Sequence, residues 1–253
     1  IQPSIILPLA ISFFTFQQIA YLADTYKGNI KDTNLLQYTF FVSFFPQLIA
    51  GPIVRYGEII PQFSNRQTDS LTASNFLTGT TIFIIGLQKK IVLADGIGVY
   101  ADGFFSNLAG QDPTLIESWI GTLAYTFQIY FDFSGYSDMA IGLARIFGIK
   151  LPENFKSPYK ATNIIEFWRR WHITLSEFLR DYLYIPLGGN RAGVPQGVVN
   201  VLIVMLLGGL WHGASWNFMV WGGLHGIFIG ISHLLRRFGG RKPAGEISTW
   251  RRY

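Results

Sequence analysis

A chain of 253 residues with 49% hydrophobic and only 14% charged side chains is no ordinary soluble domain, where charged residues approach ~25%. Its net charge of +5 comes from basic residues between apolar runs, the pattern of positive-inside loops and not of a nucleic-acid surface. Cysteine is absent, which excludes disulfides, thiolate zinc sites and a cysteine nucleophile.

The elements expected in chain order are mostly apolar helices. Ile1–Ala23 carries no charge and is long enough to cross a hydrocarbon core of ~30 Å. No initiator Met or basic leader precedes it, so it is not read as a signal peptide. Thr33–Val54 is also uncharged but is interrupted by Pro46, Gly51 and Pro52. Broken helices of this kind are tolerated where protein or a water-filled cavity covers the freed backbone. Ser70–Gln88 is a third candidate, closed by a loop at Lys89 and Lys90. Ser118–Phe131 is a fourth, continuing past Asp132 and Asp138. The Lys89–Lys90 loop and the charged zone Arg145–Arg191 are both expected on the cytoplasmic side.

Within that zone, "NIIEFWRRWHITLSEFLRDYLYIPLGG" reads as one amphipathic helix. Ile165, Trp168, His172, Leu175 and Leu179 fall on a single stripe, with the charged residues largely elsewhere. Glu166 is placed to meet Arg170, and Glu177 to meet Arg180, across a turn. Such a helix suits the membrane interface or a re-entrant position better than a crossing. Gly197–Leu235 then runs 39 residues without a charge, about 58 Å as one helix. Two segments meeting near "WHGASW" fit better. The architecture expected is all-α: a polytopic integral membrane protein of roughly six to eight embedded helices, forming one core over residues 1–253 and reading as the central part of a longer chain.

Ionisable groups inside such segments are functional candidates by default. His212 lies deep in the uncharged run between Trp211 and Trp216. Its competing reading is a histidine bonded to a neighbouring helix. His172 on the amphipathic stripe and His225, four residues after Trp221, read as packing residues when taken alone, and His233 as interfacial. Asp132, Asp138, His172 and His212 are the donors a metal site would draw on. No HxxxH or HxxEH spacing supports one, so no metal is expected. Asp132, Ser134, Ser137 and Asp138 cluster in "FDFSGYSD", but no GxSxG elbow accompanies them.

Four stretches carry a resemblance: "FFPQLIAGPIVRYGEIIPQF", "YTFQIYFDFSGYSDMAIGLARIFG", "NFKSPYKATNIIEFWRRWHITLSEFLRDYLYIPLGGNR" and "LLGGLWHGASWNFMVWGGLHG". Together they closely resemble the membrane-bound O-acyltransferase family, on the branch that holds the membrane subunit of bacterial alginate O-acetylation. The D-alanyl transfer proteins for teichoic acids are similar more distantly. The resemblance implies a multi-helical fold with a tunnel through the bacterial inner membrane. It also implies a thioester donor, acetyl-coenzyme A foremost, arriving from the cytoplasm, with no tightly bound cofactor. The acceptor would be an exported polysaccharide or a periplasmic or extracellular acetyltransferase partner.

The family's catalytic histidine matches His212. A second polar residue, His or Asn in the family, matches His172, 40 residues upstream. His172 would orient His212 or hydrogen-bond the carbonyl as charge develops. Arg169, Arg170, Arg180 and Arg191 are candidates for the donor's phosphates, with positive-inside topology as the competing account of all four. Two alternatives stand beside acetylation: D-alanyl transfer, and a transporter whose histidines relay protons.

Overall fold

The computed structural model describes residues 11–31, 33–48, 51–64, 71–107 and 112–238. The expected first crossing therefore lies partly outside the described residues. Every regular element among them is helical. They group into two compact units divided after Phe155.

The first unit opens with α1 (Ile11–Tyr26), α2 (Leu35–Ser43) and α3 (Tyr56–Ser64). Asn34 caps α2 by accepting the Gln37 N–H at 2.7 Å. A short 3₁₀ turn, Phe45–Gln47, begins where Pro46 forbids continuation of the helix. The Gln47 side chain is buried, and its amide donates to the Phe41 carbonyl at 2.8 Å, so the break leaves that acceptor satisfied. Phe41, Val54, Ile59 and Ala144 form the fully buried centre of this unit's core.

Its larger part is a long hairpin. α4 (Ala73–Gln88) passes through Lys89–Ala94 directly into α5 (Asp95–Asn107), and α6 (Leu115–Ile146) returns alongside. Glycines make the seam. A Cβ on Gly86 would lie 2.6 Å from the Gly135 carbonyl oxygen, and one on Gly79 would lie 2.6 Å from that of Gly142. Backbones this close are typical of helices packed within a bilayer, where dispersion and not solvent exclusion holds them.

The expected loop at Lys89–Lys90 is not a loop. Lys89–Ala94 is a π-helical turn, with the Asp95 N–H donating to the Lys90 carbonyl five residues back. Lys89 Nζ meets Asp138 at 2.5 Å. Lys90 Nζ meets Asp132 and Asp95, each at 2.7 Å. The two lysines look like a helix terminus in sequence because partners 42 or more residues away are invisible there. Paired with aspartates of α6, they need not leave an apolar helix.

The second unit, from Lys156, is built on another hairpin. α9 (Val194–His212) and α10 (Trp216–Phe238) run antiparallel, joined by only Gly213–Ser215. The expected split near "WHGASW" is therefore observed. These are the two helices among the described residues long and apolar enough to cross a membrane. A side chain on Gly222 would fall onto the Met205 carbonyl oxygen, well inside van der Waals contact. At the adjacent Gly223 the nearest atom would be 3.7 Å away. We expect Gly222→Ala to lower the melting temperature of the detergent-solubilised protein by several degrees, as overpacking by one carbon costs about 1–3 kcal/mol. Gly223→Ala should leave it unchanged or slightly raised, through helix propensity. Equal melting of the two variants would refute the close seam.

Candidate active site

The expected single amphipathic helix is two helices with a break. α7 (Ile164–Trp168) starts at Asn163, whose side chain accepts the Glu166 N–H at 3.0 Å. Glu166 closes the cap by accepting the Thr162 N–H and hydroxyl at 2.9 and 2.8 Å. It also receives Arg170 at 2.6 Å, so the expected pair forms. The Thr162 bonds and then the Arg170 charge hold its carboxyl down at a pKa of about 2.

The last carbonyls of α7 are taken by the N–H groups of Arg169, Arg170 and Trp171, and the chain beyond it is then pinned from outside. Lys156 donates its N–H to the Arg170 carbonyl at 2.9 Å, and Arg170 Nη1 donates to the Lys156 carbonyl at 3.4 Å. Two residues on, His172 takes a left-handed backbone, φ 42°, and α8 (Ile173–Leu179) starts from it. A π-helical turn at Arg180–Tyr184 follows.

This segment runs up and back along the α9–α10 hairpin. At its start Asn163 accepts from Arg236 at 3.2 Å, near the end of α10. Further on, Trp168 Nε1 donates to His225 Nδ1 at 3.3 Å. On the return, Leu179 lies against Gly208. The Leu187 and Gly189 carbonyls then accept from Asn200 at 3.1 and 2.7 Å, back near the start of α9. His172 is the apex of this excursion, and the tip of the hairpin carries His212. The two are linked through Trp168, four residues before His172, whose ring packs on Trp221, which in turn touches the His212 ring.

Their surroundings differ. His172 is 2% exposed. A charge on a ring so removed from water would be unsolvated, so the neutral imidazole is the form this position favours.

His212 is exposed at the C-terminal end of α9. Its neighbours are rings: Trp211 at 4.6 Å, Trp221 edge-on at 5.1 Å and Phe218 stacked at 6.1 Å between centroids. His225 sits inside the unit on Trp168 and Trp221, and His233 is exposed towards the Arg236 end of α10. In the sequence, Trp168 is one residue of an amphipathic stripe and Trp221 is marked only by its spacing from His225. The signal available was the four-residue spacing of Trp221 and His225, which puts both on one helical face.

The arginines do not share one environment. Arg170 is engaged by Glu166, and Arg180 binds both oxygens of Asp181 in place of the expected Glu177 pair. Arg169 and Arg191 are exposed. Asp132 and Asp138, the carboxylates considered for metal binding, are engaged by Lys90 and Lys89. Of the serines beside them, Ser137 accepts from Asn154 at 3.1 Å, and Ser134 is buried.

A neutral buried imidazole beside an accessible one, at the tip of a hairpin apolar enough to span a bilayer, is an arrangement suited to moving a proton in a water-poor setting. The chain belongs to the membrane-bound O-acyltransferase family, whose sequence profile matches residues 24–240. It is 49% identical to a peptidoglycan O-acetyltransferase of Helicobacter pylori, over 97% of this chain and 51% of that protein. It is 50% identical to the probable alginate O-acetylase AlgI of Azotobacter vinelandii, over 92% and 46% respectively. A teichoic acid D-alanyltransferase of Bacillus subtilis is 30% identical, over 87% and 58%. The chain thus spans about half the length of the relatives it matches.

Proposed function

We propose that this protein is an O-acyltransferase that moves an acetyl group from a cytoplasmic thioester, acetyl-coenzyme A, to a hydroxyl of an exported polysaccharide, directly or through an extracytoplasmic acetyltransferase partner. The observation that carries the reading is that buried His172 and exposed His212 fall in one unit, linked through Trp168, whose ring packs on Trp221, which touches the His212 ring. His212 is the general base. It takes the acceptor hydroxyl's proton as that oxygen attacks the thioester carbonyl. When the C–S bond breaks, it returns the proton to the departing thiolate, leaving an ester and a free thiol. His172 stays neutral and either orients His212 or donates to the carbonyl oxygen as negative charge develops there. Exclusion of water around the site protects the thioester from hydrolysis.

The protein is a multi-pass protein of the bacterial inner membrane. The α9–α10 hairpin supplies two crossings. The α4–α5 and α6 hairpin, its lysines and aspartates mutually neutralised, supplies two more. Arg191, Arg236 and Arg237 mark the cytoplasmic ends of α9 and α10. Exposed Arg191 is better placed than Arg170 and Arg180 to meet the donor's phosphates, since the latter already hold carboxylates, and Arg169 is exposed as well. Acetyl transfer is favoured over D-alanyl transfer because the O-acetylating relatives stand near 50% identity and the D-alanylating one at 30%.

The test is turnover of acetyl-coenzyme A by the purified full-length protein in the presence of an acceptor polysaccharide. Release of free thiol that needs the acceptor supports the reading. Hydrolysis without ester formation, or solute flux without thiol release, removes it.

A further inference from the structure

Histidine bases are commonly aimed by a hydrogen-bond acceptor on the far ring nitrogen. Among the described residues none hydrogen-bonds the His212 side chain. Its ring is confined by aromatic faces and edges instead. Of these, Trp211 is its chain neighbour, and Phe218 stacks on it from the first turns of α10. Trp221 differs, because it is itself held from the other side. It lies 4.8 Å from the His225 ring and 5.9 Å from the Trp168 ring, crossing the latter at 71°. Trp168 and His225 are locked to each other by the 3.3 Å bond from indole N–H to Nδ1 and by an edge-to-face contact at 5.2 Å. Because Nδ1 accepts, the neutral His225 carries its proton on Nε2. The Trp168–His225 pair thus joins α7 to α10 and backs the indole that touches His212.

We infer that Trp221 is a positioning residue for His212, and that the Trp168–His225 hydrogen bond holds Trp221 in place. This rests on the reading of His212 as the base. Edge-to-face ring pairs have preferred geometries and are worth about 0.5–1.5 kcal/mol each beyond burial. Three rings braced in series therefore restrict a side chain that no hydrogen bond restricts. The cost of releasing it falls on the chemical step, because a small misplacement of a catalytic group can cost as much as ~10²-fold in rate. Donor and acceptor binding do not depend on where the imidazole points.

The test uses the full-length protein in detergent or nanodiscs, with kcat and KM for acetyl-coenzyme A measured beside the melting temperature. Trp221→Ala should lower kcat about 10- to 30-fold with KM within twofold. Trp221→Phe, which keeps an aromatic edge, should recover most of the loss. Trp168→Phe keeps the ring and deletes only the N–H. It should lower kcat about 3- to 10-fold with little change in melting, and so serves even where Trp221→Ala folds poorly. His225→Gln, which keeps an acceptor, should outperform His225→Leu. The inference is overturned if Trp221→Ala leaves kcat at wild type, if Trp168→Phe and His225→Leu both do, or if the losses appear in KM. His212→Ala is run in parallel. If it is inactive while the tryptophan variants are normal, only the positioning role falls. If it is active, the base assignment falls and takes this inference with it.

Discussion

His212→Ala in the full-length protein is expected to reduce acyl transfer by about 10²–10⁴-fold, the range that general-base assistance supplies. An acceptor hydroxyl is a weak nucleophile until its proton is taken, and the apolar hairpin around His212 offers no other titratable side chain between Gly197 and Leu224. The substitution should spare the fold. The imidazole is exposed, and no hydrogen bond to it exists among the described residues, so its removal strands no buried partner. The measurement is acetyl content of the exported polymer at matched membrane levels of the protein, with thiol release by purified protein as the direct readout. Wild-type transfer by His212→Ala would end the assignment. Loss of the protein from the membrane would instead show that the residue is structural.

The second large effect is at position 172, where backbone and side chain make separate demands. His172→Ala should lower transfer about 100-fold, because the neutral imidazole beside His212 is lost. It should also destabilise, since an alanine held at φ 42° pays roughly 1–2 kcal/mol for the left-handed conformation. His172→Asn should recover a good part of both. Asparagine is among the residues that tolerate this region, and its amide keeps a donor and an acceptor. Kinetics and melting of the two variants side by side are the check. If asparagine is no better than alanine in either measurement, neither the backbone strain nor the polar group at this site matters as described.

Several features were legible before any coordinates. The uncharged run from Gly197 to Leu235 is too long for one crossing and carries glycines and a histidine at its middle. The hairpin with His212 at its tip follows from length, composition and the small residues that let its helices close. The Glu166–Arg170 pair follows from helical spacing. These are local facts, and a sequence carries local facts directly.

The break at His172 was not legible, because the backbone just before it, at Arg170, is pinned by Lys156, fourteen residues upstream of Arg170 in an irregular connector. By pattern alone the stripe through Trp168, His172 and Leu175 is a perfectly good helix. Nor could the pattern tell that Lys89 and Lys90 stay within a helix, since their charges are met by Asp138 and Asp132 of a different helix. The same holds for His225. Its role beside Trp168 depends on two helices meeting 57 residues apart. Which segments are helical and apolar, and where histidines fall within them, can be read residue by residue, because burial period and charge are local properties. The rings that surround each histidine come from helix packing, which brings together residues that spacing along the chain keeps apart.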